Sequence, residues 1–318
     1  MWINRNDEVF IELKKVNKKM KIPSLGIVVP CRNGARYLRE TLESLENQKE
    51  MPDRIILSDN MSTDNSREIM SNFSANKSIW KIVSPTKYLE EIAQSFNFAA
   101  SFANEDWIFF LHSDDILSPR AVSKIRKEIS NTDSSVGLIS FEAEWINENS
   151  KLIRAKFAYG PQIMESGLKF ITDNLGGSSI NFGAVVINNR IFNEIGCFEN
   201  KNSYWLDLKY YHKLVGAGYK IKRVATPIIR YRIHQRPRLD DNRATVDFNN
   251  RIYWSEQYLP ALAKTFHFQL AQSSQPQSFM VKLKLYLKRE NRSKRAIRKL
   301  SIFVRLLMDR NGFGMFSC

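Results

Sequence analysis

Asp114 and Asp115 stand side by side at the end of the run Trp107-Ile108-Phe109-Phe110-Leu111-His112-Ser113-Asp114-Asp115. The apolar part is long enough for one strand buried on both faces, and the C-terminal ends of such strands are where open α/β sheets hold their ligands. Two carboxylates there suit a hard cation, Mg2+ or Mn2+, shared with substrate phosphates. The same pair also suits a plain turn: Ser118-Pro119 reads as the N-cap and first position of a helix whose N-terminus would favour nearby negative charge.

Four further segments carry groups that can do chemistry. Ile55-Ile56-Leu57-Ser58-Asp59 ends another apolar run in an acid, so Asp59 can meet a ribose or a base, while Asp64 reads as an N-cap. Val28-Val29-Pro30-Cys31-Arg32-Asn33-Gly34 is a strand followed by a loop that can face a nucleotide with its backbone or simply turn; without GxGxxG it is no dinucleotide site. Asp207 lies within Ser203-Tyr204-Trp205-Leu206-Asp207-Leu208-Lys209-Tyr210-Tyr211. Aromatic surroundings raise a carboxylate's proton affinity toward that of a general base, though helix-start aspartates share this spacing. Arg230-Tyr231-Arg232-Ile233-His234 delivers two arginines and a histidine, which can neutralise a diphosphate, complete a metal shell or serve structure.

The elements that must position these groups alternate. Strands are expected at Leu25 to Val29, Arg54 to Leu57, Trp80 to Val83 and Trp107 onward. Helices follow near Tyr37 to Leu45, from about Asp64, over Tyr88 to Ala103, and over Pro119 to Ile129. Such alternation predicts an α/β fold with a mostly parallel sheet and helices on both faces. The second half reads as strands at Val136 to Phe141, Ala184 to Ile187, Ile221 to Val224 and Ile228 to Ile233, with a helix at Tyr204 to Val215.

The chain has 318 residues, 43% hydrophobic and 12% aromatic, which supports a sizeable core and excludes a disordered chain. Its net charge of +15 implies an anionic partner and says nothing of fold. Cys31, Cys197 and Cys318 form no metal-type pair, consistent with reduced thiols. The first residues lack the apolar core of a signal peptide, and no window approaches 18 uninterrupted apolar residues, so a cytoplasmic chain that does not span a membrane is expected.

Taken in order, Pro30-Cys31-Arg32-Asn33-Gly34, Ser58-Asp59-Asn60-Met61-Ser62-Thr63-Asp64, His112-Ser113-Asp114-Asp115, Ile195-Gly196-Cys197-Phe198-Glu199, Asp207 and His234 resemble the family 2, GT-A type glycosyltransferases over roughly residues 24–235. The resemblance implies a Rossmann-like GT-A fold and a metal-dependent, inverting transfer of a sugar from a nucleotide donor. Asp59 then matches the acid at the donor nucleoside, with Pro30, Arg32 and Asn33 in the first nucleotide-contacting loop and Asn97, ahead of the acid motif, as a further donor contact. Asp114 and Asp115 match the metal-binding acids, either of them being the direct ligand, and Asp114 also matches a donor contact. His234 would complete the metal shell and Arg232 would contact the donor at its diphosphate, while Asp207 matches the base that deprotonates the acceptor. Two positions depart from the common pattern: His112 stands where the first acid of the motif usually is, and Asn60 replaces the second acid of the nucleotide motif.

The implied organisation is a basic N-terminal extension (1–23), a glycosyltransferase domain (24–235, with halves 24–130 and 131–235) and a basic helical region (236–318). From Lys282 to Leu307 lysine and arginine interleave with apolar residues, as in helices that lie on anionic bilayers, and Lys14, Lys15, Lys18, Lys19 and Lys21 add to the positive charge. The expected partners are a nucleotide sugar, UDP- or dTDP-linked in preference to GDP-linked, a surface-glycan acceptor that is lipid-linked, and the cytoplasmic face of a membrane. A non-catalytic basic nucleic-acid-binding protein is an alternative from another class, but nucleic acid is not the expected partner, because the basic residues gather at the termini while acids mark the strand ends. A sugar nucleotidyltransferase is the alternative within the same architecture, but Pro30 to Gly34 lacks the glycine-rich basic loop a triphosphate would need.

Overall fold

The computed structural model describes residues 22–156, 162–164, 170, 180–199 and 206–234. The basic region 236–318, lysines 14–21 and most of the segment between Glu165 and Phe182, which the sequence suggests as a loop over the site, lie outside them.

The first half follows the expected alternation: β1 (Leu25–Cys31), α1 (Ala35–Glu46), β2 (Arg54–Asp59), α2 (Ser66–Ser74), β3 (Trp80–Val83), α3 (Ile92–Ala100), β4 (Trp107–Phe110), a short β5 (Ile116–Leu117) and α4 (Ala121–Ser130). Then come β6 (Val136–Ile146), β7 (Leu152–Lys156), β8 (Gln162–Met164), a 3-10 turn (Phe182–Ala184), β9 (Val185–Asn188), α5 (Asn189–Ile195), α6 (Leu206–Gly216) and β10 (Lys220–Arg232).

Strand residues alternate between two cores, as the period of two demands. Ile27, Val29, Ile55, Leu57 and Phe109 meet α1, α2 and α4 through Leu38, Leu42, Leu45, Met70, Val122 and Ile125. Val28, Ile56, Ile108 and Phe110 face the opposite way, toward Ala93 and Ala99 of α3, Ile191 and Phe192 of α5, and Tyr211 and Leu214 of α6. The sheet is therefore covered on both sides, which is why its central strands read as unbroken apolar runs.

Strand order is β3-β2-β1-β4-β9-β6-β10-β5, with β7 on β6 and β8 on β10. The strands β3-β2-β1-β4 are parallel, as is the β6/β10 pair. β9 is not: it runs antiparallel to both β4 and β6. The mostly parallel sheet expected is thus present, and β9 is the reversed strand between β4 and β6, whose direction could not be read because a doubly buried run looks the same either way. The two strands expected at 221–224 and 228–233 are one 13-residue strand, β10, whose register shifts at Val224/Pro227 and Pro227/Ile229. Pro227 has no N–H to give, so a bulge is where a strand can carry it. α4 begins at Ala121 behind Arg120, without a side-chain cap, and the Ser118-Pro119 start is not used.

Candidate active site

β4 ends at Phe110, and the next five residues form the acid loop, turned by a hydrogen bond from Asp115 N to His112 O at 3.3 Å. Asp115 is fully buried, and its Oδ1 accepts the Arg232 backbone N–H at 2.9 Å. Its Oδ2 has no hydrogen-bond partner among the described residues and faces His112 Nδ1 at 3.6 Å. Burial, reinforced by the charge of Asp114, pushes the Asp115 carboxyl well above the usual carboxylate range. Burial likewise holds the His112 imidazole below its ordinary value, against the pull of Asp114.

One ligand atom from each of His112, Asp114 and Asp115 lies within 4.8 Å of the others. A buried carboxylate oxygen without a donor is costly, and a cation is the partner that oxygen and imidazole ligands together would accept. The backbone crowds this oxygen as well: a Cβ on Gly183 would sit 2.8 Å from it. The donor set therefore fits a divalent cation. His112 was visible in the sequence only as a missing acid; the structure puts its ring in the cluster.

The end of β10 secures this loop. Arg232 is 1% exposed, and its guanidinium donates to Asp114 O (2.8 Å), Asn147 O (3.2 Å), Ser150 Oγ (2.9 Å) and Glu40 Oε2 (2.7 Å). Its plane also lies 4.3 Å from the Tyr37 ring centroid. A guanidinium so committed ties the acid loop to Glu40 of α1 and to the Asn147–Ser150 turn, beside the place where the sequence puts the donor diphosphate. Two residues on, His234 Nε2 meets Asp114 Oδ2 at 2.6 Å, so His234 stands behind the cluster through Asp114.

Beside the acid loop, the ends of β1 and β2 form a second polar edge. Pro30 is buried within β1, and Cys31 and Asp59 are register partners. Asp59, 2% exposed, accepts from Ser62 N at 3.0 Å and pairs with Arg67 at 3.4 Å. Arg32 donates to Asn60 O at 3.3 Å and lies 3.7 Å from the Tyr88 ring centroid. Asn33, at φ +52°, accepts from Thr63 N at 2.8 Å. Its side chain ties the two loops together, a job suited to a residue that tolerates left-handed backbone. Asp64 is not the N-cap the sequence suggested: Asn65 holds that position in α2, and the Asp64 carboxylate instead accepts from Ser66 N and, across the loop, from Ala35 N at the start of α1, both at 3.0 Å.

Asn97 is also a clamp. Its Nδ2 donates to Phe198 O at 2.8 Å and its Oδ1 accepts from Phe198 N at 3.0 Å, fixing the Gly196-Cys197-Phe198-Glu199 segment on α3. Phe198 in turn begins an aromatic chain to both sides: Tyr210 of α6 at 5.2 Å, and Phe182 at 5.4 Å, which contacts His112 at 5.5 Å. α6 is thereby coupled to the acid loop through rings. In its first turn sits Asp207, which burial pushes up to about 6, opposed by backbone hydrogen bonds at Leu208 and its own N–H. A carboxyl poised there is well matched to proton transfer near neutral pH.

Among the described residues no helix is long and apolar enough to cross a membrane. Residues 26–184, half of the chain, match the family described as Glycosyl transferase family 2. The chain is similar to the chondroitin synthase of Pasteurella multocida (strain Pm70), 31% identical over 133 residues, covering 42% of this chain but only 14% of that synthase. It is 24% identical over 228 residues to the O-antigen chain rhamnosyltransferase WbaN of Salmonella anatum, covering 70% of each. In fold it is similar to S. aureus TarS 1-349 in complex with UDP-GlcNAc, with a TM-score of 0.56 and 17% identity over 72% of this chain and 64% of that one.

Proposed function

The chain belongs to glycosyl transferase family 2, and from that membership we propose that it moves a sugar from a nucleotide donor to a hydroxyl of a growing polysaccharide, with inversion at the anomeric carbon and dependence on a divalent cation. The observation that carries this reading is the meeting of His112, Asp114, Asp115 and His234 at the end of one buried strand.

In this reading residues 24–235 are the catalytic domain. The nucleoside of the donor lies along Pro30, Arg32, Asn33 and Asp59, which end β1 and β2, with Asn97 and Arg232 holding the walls. A UDP- or dTDP-sugar is favoured, in keeping with the UDP-GlcNAc held by TarS. Asp114, Asp115 and His112 would hold Mg2+ or Mn2+, with His234 orienting Asp114. When bound, the cation supplies positive charge against the negative charge developing on the leaving diphosphate.

Asp207 acts on the other side of the sugar. Its carboxylate accepts the acceptor hydroxyl proton as that oxygen forms the new bond to the anomeric carbon, and the old bond to the diphosphate oxygen breaks with its electron pair. Above about pH 6 Asp207 is ionised and ready for this step. The acceptor is a lipid-linked surface glycan and the location the cytoplasmic face of a membrane, where the basic stretch 282–307 would add about 1 kcal/mol per basic residue on an anionic surface.

A panel of nucleotide sugars with the purified protein tests the proposal. It expects release of nucleoside diphosphate only with divalent cation. Release of pyrophosphate from a nucleoside triphosphate would instead support a nucleotidyltransferase.

A further inference from the structure

Asn60 does something an ionised acid in its place could not do. Its Nδ2 donates to Leu89 O at 2.8 Å, and its Oδ1 accepts Leu89 N at 2.9 Å. The residue is 4% exposed, and its own N–H donates to Cys31 O at 2.9 Å. Leu89 lies in the segment between the end of β3 at Val83 and the start of α3 at Ile92. That segment has no strand partner there, and the Asn60 amide meets both backbone groups of Leu89 as a neighbouring strand would. A carboxamide offers a donor and an acceptor in that plane whatever the pH; an ionised carboxylate is acceptor-only.

The latch reaches further than Leu89. The preceding residue, Tyr88, presents its ring 3.7 Å from the Arg32 guanidinium, which also donates to Asn60 O at 3.3 Å. At the start of the same segment Ser84 Oγ accepts from Arg67, the residue paired with Asp59. Three side chains at the ends of β1, β2 and α2 are thus spoken for by one strap, 84–89. Tyr88 stays 43% exposed and so keeps an open edge beside Arg32.

We propose that Asn60 is a positioning residue for the donor nucleoside: by closing both backbone groups of Leu89 it holds Tyr88 against Arg32, making strap 84–89 the outer wall of the nucleoside pocket. The assignment rests on the nucleotide-sugar reading above. Its consequence is that Asn60 and Tyr88 act in series, so their effects on nucleotide binding overlap instead of adding.

UDP binding by calorimetry with Mn2+, donor KM and kcat are measured for the full chain, Asn60→Asp, Tyr88→Ala and the double variant, with amide hydrogen exchange at Leu89. Asn60→Asp places a carboxylate against the Leu89 carbonyl. It should weaken UDP binding about tenfold, the scale of one lost buried hydrogen bond with its orphaned partner, and speed exchange at Leu89. Tyr88→Ala, at an exposed position, should weaken UDP to a similar extent without affecting Leu89 exchange. The double variant should be no worse than Asn60→Asp, with each loss in KM and not in kcat at saturating donor. UDP affinity unchanged in Asn60→Asp, or full additivity in the double variant, would overturn the assignment while leaving the enzyme reading intact. If the unaltered chain binds no nucleoside diphosphate, the enzyme reading itself fails and the nucleoside assignment goes with it.

Discussion

Asp115 and Arg232 hold each other in two ways: the Arg232 backbone N–H donates to Asp115 Oδ1 at 2.9 Å, and the Arg232 side chain donates to the carbonyl oxygen of the preceding Asp114 at 2.8 Å. The far strand of the sheet thereby fixes a loop at the end of β4, and one carboxylate oxygen is left pointing inward without a donor among the described residues. The consequences are separable.

Arg232→Lys keeps one charge and loses the fork that reaches Asp114, Ser150 and Glu40 at once. Unfolding in urea should show a loss of about 1–3 kcal/mol, the scale of leaving a buried hydrogen-bond partner unsatisfied. Cation-dependent nucleotide binding should weaken with it, because the acid loop is released. A variant as stable as the parent would deny Arg232 its positioning role.

His234→Ala removes the ring that meets Asp114 Oδ2 at 2.6 Å. The Mn2+ concentration for half-maximal activity should rise about 10- to 100-fold, as when an outer partner of a metal ligand is lost. Excess Mn2+ should recover most of the activity. An unchanged Mn2+ requirement would separate His234 from the metal-binding set.

Asp207→Asn should lower kcat about 10²- to 10⁴-fold, the range for a general base, with UDP affinity retained. In the parent, activity should climb with pH through about 6 as this carboxyl ionises. Stability moves the other way. The folded-state value lies above the ordinary carboxylate value of 3.8, so the folded chain binds more protons than the unfolded one between 3.8 and about 6. Asp207 therefore costs stability progressively as pH rises through that window. Melting curves at pH 8 should find Asp207→Asn more stable than the parent, and at pH 4 the difference should shrink.

Asn97→Ala cuts both hydrogen bonds to Phe198, whose ring links Tyr210 to Phe182. About 2 kcal/mol of stability should be lost, since the Phe198 backbone groups are left without partners. The same change should lower turnover more than UDP affinity, because the clamp bears on α6 and Asp207. Loss confined to UDP affinity would instead favour the direct donor contact that the sequence suggested for Asn97.

The strand-end acids were legible because burial writes itself into composition: Val28 and Ile56 face one core and Ile27 and Leu57 the other, so strands β1 and β2 read as apolar runs that stop where the polar loops start. Direction was not legible. Val185–Asn188 is as apolar as its neighbours, and nothing local reports that it runs against them. Side-chain purpose was harder still. Asn33, Asn97 and Arg232 have the right types for a ligand site, yet each is engaged with backbone or side-chain groups 30 or more residues away. Those partners are set by the sheet order, which no spacing within a segment encodes. His112 had the opposite fate: read as a gap in an acid motif, it joins the cluster through the same turn that buries Asp115.

The central claim is that the acid loop binds a nucleoside diphosphate through a divalent cation, and calorimetry of UDP against the full chain, with and without Mn2+, tests it most directly. The account predicts binding that requires Mn2+ and is lost in Asp115→Asn, which keeps the oxygen facing Arg232 N–H and removes the charge. UDP or dTDP bound equally well without Mn2+, or undiminished in Asp115→Asn, would contradict it.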